Sequence, residues 1–160
     1  MKQKLDDINL LVVHGSFTKS DFKGSGPEGI ADDIEQWHLD RGWRHIGYHI
    51  VIERGGEAKQ TLEFDQRGIH TVGHNKNSIS VCLAGGASEH ADLSAPPESQ
   101  IWSFNYDDDQ LNTLGGIFTN FIEQKPVGII KGHGELQDRR SCPGFSPWLW
   151  YRTEYMKNAG

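Results

Sequence analysis

Twenty-two acidic side chains against 16 basic ones give this 160-residue chain a formal charge of −6. No stripe of Lys or Arg stands out, which argues against nucleic acid as a partner, because that binding depends on clustered cations. No run approaches the roughly eighteen consecutive apolar residues of a membrane span, and the basic start MKQK leads into neither the apolar core nor the cleavage site of an export signal.

With 36% hydrophobic residues, one domain over residues 1–160 with its own core is expected. It should fold in the cytoplasm, with Cys82 and Cys142 unpaired. Ile8–Val13 reads as a buried strand that delivers His14 at its C-terminal end. Residues 19–29 are loop by composition. Ile30, Ile34, Trp37 and Arg41 then recur at helical spacing, with Asp32 and Asp33 in the first turn and Gly42 just past the end, which suits the helix dipole. Tyr48–Arg54 alternates as a strand and turns at Gly55-Gly56 into a partner near Glu57–Leu62. In that alternation His49 points to the face opposite Tyr48.

Residues 65–77 are a polar loop holding His70 and His74, and Ser78–Ala84 is apolar enough for the middle of a sheet. Residues 87–104 show no period; a loop this long is functional or mobile in a compact domain. Leu111 to Ile122 mark a second helix, capped by Asn105 or Asp107 and stopped by Pro126. Its Gly115-Gly116 pair implies close packing, since each glycine costs about 1 kcal/mol there. Val127–Ile130 is a short apolar run leading to His133, and Pro147–Met156 a helix with proline in its first turn. The order implies an α/β fold: a single-domain mixed central sheet flanked by helices.

Three residues stand where strands give way to loops or where a loop returns: His14, His133 and Cys142. Two imidazoles and a thiolate are an accepted set for a catalytic zinc, which keeps a fourth position for water. An H-x8-C spacing is not by itself a zinc motif. A strand-end histidine is more often structural.

Four pieces in order make the chain resemble a known family. They are H-G-S-x-T at His14–Thr18, the run from Ile34 to Gly56, HTVGHNKNSISVCLAGG from His70 to Gly86, and H-x8-C-P-G-F from His133 to Phe145. Together they are similar to the type-2 N-acetylmuramoyl-L-alanine amidases, zinc enzymes that share a fold with peptidoglycan recognition proteins. The small phage amidases are the nearest in look. The resemblance implies that His14, His133 and Cys142 hold Zn2+, that Tyr48 stands beside the metal, and that His70 lines the substrate groove. Arg140 falls two residues before the cysteine, where the phage enzymes have a catalytic lysine. Arginine stabilises charge but is a poor proton donor. The 87–104 loop is longer than its phage counterpart and reads as either a lid over the peptide stem or a tolerated insertion, the insertion being slightly favoured.

The implied activity is hydrolysis of the amide between N-acetylmuramic acid and L-alanine of peptidoglycan, by a monomeric phage or prophage endolysin that waits in the bacterial cytoplasm. Two alternatives are a cytoplasmic recycling amidase acting on anhydro-muropeptides and a non-catalytic peptidoglycan-binding module. Cys82 is expected to be an inert core thiol, and His38 to be packing.

Overall fold

The computed structural model describes residues 1–159, and every strand but the exposed edge strand β3 falls where β-branched and apolar side chains cluster. β1 (Leu10–Gly15), β2 (Ile50–Ile52), β3 (Ala58–Gln60), β4 (Ser78–Leu83) and β5 (Ile129–Gly132) form one five-stranded sheet in the order β3-β2-β4-β1-β5. β1 is parallel to both β4 and β5, β2 is parallel to β4, and only β3 runs antiparallel, to β2. β4 is the middle strand, and all its residues but Ile79 are buried.

Each face of the sheet carries its own core. On one, Leu11, Val13, Val81 and Leu83 pack against Leu114, Phe118 and Phe121 of α2 (Asp108–Gln124) and against Tyr151. Phe118 is fully buried, a contribution of about 1.5–3 kcal/mol for one side chain of this size. Tyr151 belongs to a C-terminal helix built from α3 (Pro147–Trp150), a π-helical stretch (Tyr151–Tyr155) and α4 (Met156–Ala159). On the other face, Val51, Cys82 and Ala84 pack against Ile30, Ala31 and Ile34 of α1 (Ile30–Asp40). The fold class is the expected one, a mixed α/β domain with helices on both faces.

The helix ends are held differently from one another. Asp107 caps α2 through a full capping box with Gln110, while Asn105, the other candidate, binds the backbone of Gly86 and Ala87 instead. α1 starts after Gly29 with no cap of its own. The buried carboxylate of Glu53, just past β2, supplies one by accepting from the amides of Ile30 (2.6 Å) and Ala31 (2.9 Å), where the helix dipole favours negative charge. Within α2 only Gly115 has the expected close neighbour, the Tyr155 ring; Gly116 faces open space. Among the described residues no helix is long and apolar enough to cross a membrane.

Candidate metal centre

His14 lies within β1 and pairs in register with Cys82. Paired residues of parallel strands project to one side of a sheet, so the imidazole stands on the α1 face. His133 begins the short helical turn Gly132 leads into, directly after β5, the neighbour of β1. Cys142 returns from the following loop, and the amide of Gly15 donates to its sulfur at 3.1 Å. One ligand atom from each of the three lies within 4.8 Å of the others, and the rings of His14 and His133 are 4.7 Å apart. The structure thus brings together the three residues the sequence singled out.

The surroundings fit a metal. A four-coordinate zinc with bonds of about 2.0–2.3 Å holds its donors roughly 3.3–3.7 Å apart, a modest contraction of the observed cluster. Ligating histidines characteristically engage their other ring nitrogen with a fixed partner. Here His133 Nε2 meets Gln137 Oε1 at 2.7 Å, and His14 Nε2 meets His70 Nδ1 at 3.1 Å. Among the described residues the hydrogen bonds of both rings run through Nε2, which leaves Nδ1 of each for a ligand. Burial, then the neighbouring histidines, hold His14 well below the usual imidazole range; burial also lowers His133, opposed by Gln137. Both rings are therefore neutral near pH 7, the form that binds metal. The Cys142 thiol is pushed up to about 12 by burial, against the Gly15 amide and Arg140.

Close packing shapes the site. A Cβ on Gly15 would fall 2.6 Å from both the Trp102 ring and the Tyr106 hydroxyl, so only glycine fits between His14 and Ser16. Tyr106 donates to the carbonyl of Pro143 at 2.6 Å, tying the cysteine loop to the core. Trp102 packs against Phe17 with its ring tilted 51° and lines the site cavity of ≈ 320 Å³. Residues 87–104, which the sequence leaves as a lid or an insertion, contribute Gln100 and Trp102 to the wall of the site.

Tyr48 lines the cavity as well. The Tyr48 ring is 5.0 Å from that of His14, and burial raises its hydroxyl well above the usual phenol value, with Cys82 and Cys142 adding to the effect. It keeps its proton at neutral pH. Arg140 lines the same cavity, and its charge reaches both His133 and Cys142. His70 also lines it, with both ring nitrogens bonded inside the protein. Cys82 is fully buried and free. His38 packs between Trp43 and Tyr48 while its Nδ1 accepts from Gly47 N. His49 does not line the cavity. β2 begins only at Ile50, so the alternation does not extend back to it. The ring is bonded to Ser80 and stands 6.4 Å from His70, close behind the site. Sequence reasoning missed Gln137 and Ser78; Gln137 alone carried a signal, four residues after a candidate ligand on a turn.

Known proteins resemble the chain in sequence and in fold. The family described as N-acetylmuramoyl-L-alanine amidase matches residues 4–145. The endolysin of Enterobacteria phage K11 is 30% identical over 150 residues, covering 94% of this chain and 89% of the relative. Among solved structures, the endolysin amidase LysCS from Clostridium intestinale aligns with a TM-score of 0.70 at 18% identity, over 98% of this chain and 88% of that one. Peptidoglycan recognition protein LE, solved with tracheal cytotoxin, a monomeric diaminopimelic acid-type peptidoglycan, aligns at 0.69 and 17% identity, over 94% and 82%.

Proposed function

The chain belongs to the N-acetylmuramoyl-L-alanine amidase family, and from that premise we propose a zinc-dependent endolysin that cuts the amide between N-acetylmuramic acid and L-alanine in peptidoglycan. The observation that carries this reading is the convergence of His14, His133 and Cys142, 9 to 128 residues apart in the chain, within 4.8 Å. When bound by these three, zinc supplies a hydroxide-like water at neutral pH and polarises the scissile carbonyl.

The protein's own groups divide the remaining work. Arg140 places a permanent positive charge beside His133 and Cys142, where it stabilises the oxyanion of the tetrahedral intermediate; a well-placed donor of this kind is worth about 3 kcal/mol. Its guanidinium does not give up a proton. Tyr48 retains its own, so its hydroxyl is a donor toward the oxyanion or the departing nitrogen. The His70 ring, with its nitrogens engaged elsewhere, offers the groove a ring surface for substrate contact. Residues 1–160 work as a single domain and as a monomer. The phage relatives support a role in which the protein stays in the cytoplasm of an infected bacterium until it is released to the wall.

The test is to incubate the protein with murein sacculi, with and without a chelator, and to score new amino groups against new reducing ends. Amino groups that appear only with metal are expected. Reducing ends would mean a glycosidase, and activity untouched by chelation would remove zinc.

A further inference from the structure

His70 occupies an unusual place: it faces the candidate metal centre, yet neither of its ring nitrogens is available to a substrate. Its Nε2 lies 3.1 Å from the Ser78 hydroxyl and its Nδ1 lies 3.1 Å from His14 Nε2. The loop that carries it is clasped rather than loose. Asn75 Oδ1 accepts from the amides of both His70 (2.8 Å) and Thr71 (2.9 Å), and the His74 amide donates to Thr71 O.

The direction of this chain is set at its far end. Ser78 has one hydroxyl proton, and its Oγ is 2.7 Å from the carbonyl of His74 and 3.1 Å from that of Asn75. A carbonyl only accepts, so the Ser78 proton goes to the backbone and its oxygen must accept from His70. Proton on Nε2 leaves Nδ1 of the neutral His70 ring as an acceptor. Two bare nitrogens at 3.1 Å would repel, so His14 must bring its proton to Nε2. The Thr71 hydroxyl, 2.9 Å from His70 Nδ1, adds a second donor to the same acceptor. His14 is then left with its lone pair on Nδ1.

We infer that His70 is a positioning residue: the series His74 carbonyl, Ser78, His70, His14 holds His14 in the one tautomer and orientation that present Nδ1 to a metal. This rests on the zinc reading proposed above. His133 has a single amide partner for the same purpose, whereas His14 is directed by a backbone carbonyl two side chains away. Histidine at position 70 is then required less for what it gives the substrate than for joining Ser78 to His14.

Two measurements decide it. In the metal-free protein, long-range nitrogen–proton NMR should find both His14 and His70 protonated on Nε2. Chelator competition should find zinc bound 10- to 100-fold more weakly in Ser78→Ala and in His70→Phe, the range seen when such outer partners are removed, with circular dichroism unchanged. Ser78→Ala should also let the His70 proton spread to Nδ1, a shift that simple loss of packing does not produce. A His70 ring protonated on Nδ1 in the unmodified chain would overturn the inference, as would undiminished zinc affinity in Ser78→Ala. If the unmodified protein took up no zinc, the metal reading would fall, while the tautomers would still decide the direction of the chain.

Discussion

Gln137 Oε1 stands 2.7 Å from Nε2 of His133, four residues further along and on the turn that follows β5. An amide oxygen there can only accept, so it keeps the proton on Nε2 and the lone pair on Nδ1. Replacing it with leucine removes that partner at nearly constant volume. Gln137→Leu should bind zinc about 10- to 100-fold more weakly, read by competition with a chromophoric chelator. Gln137→Glu, which still accepts, should bind at least as well as the unmodified protein.

Zinc uptake should depend on pH with a definite sign. Zinc binds the thiolate, but burial holds the Cys142 thiol protonated up to about 12. His14 and His133 lie below the usual imidazole value and have no proton to release near pH 7. Below pH 7 one proton per zinc should therefore leave, with apparent affinity climbing about tenfold per pH unit, and the slope should steepen as the bound water ionises near pH 7. Calorimetry in buffers of different ionisation enthalpy counts that proton. Cys142→Ser should abolish zinc binding, while Cys82→Ser should retain it.

Loss of the Arg140 charge should be felt in turnover more than in metal content. Arg140→Ala is expected to lower kcat by about 10²–10³-fold, the cost of removing one donor to an oxyanion. Arg140→Lys keeps a cation and should recover most of it. Tyr48→Phe should cost about 10²-fold through loss of a proton donor. Steady-state rates on a soluble muropeptide, alongside zinc analysis, separate these effects from ligand loss.

Two adjacent glycines should respond in opposite directions. A Cβ at Gly115 would stand 2.1 Å from the Tyr155 ring, whereas one at Gly116 meets nothing within 4 Å. Gly115→Ala should cost about 1–3 kcal/mol by overpacking. Gly116→Ala should stabilise by about 0.5–1 kcal/mol through helix propensity. Urea denaturation midpoints measure both.

Local chemistry was enough for the sequence to reveal the elements, the two faces of the sheet, and the three side chains offered at strand ends and in the returning loop. Periodicity, glycine punctuation and four short motifs each act over a few residues, so they can be read in order. What only the tertiary structure decided are the partnerships across the chain: Glu53 capping a helix that begins 23 residues earlier, Trp102 closing against Gly15, and Ser78 directing His14 through His70. A hydrogen bond between residues so separated leaves no period in the sequence. It exists only once the sheet register puts His14 opposite Cys82 and beside the loop that carries His70.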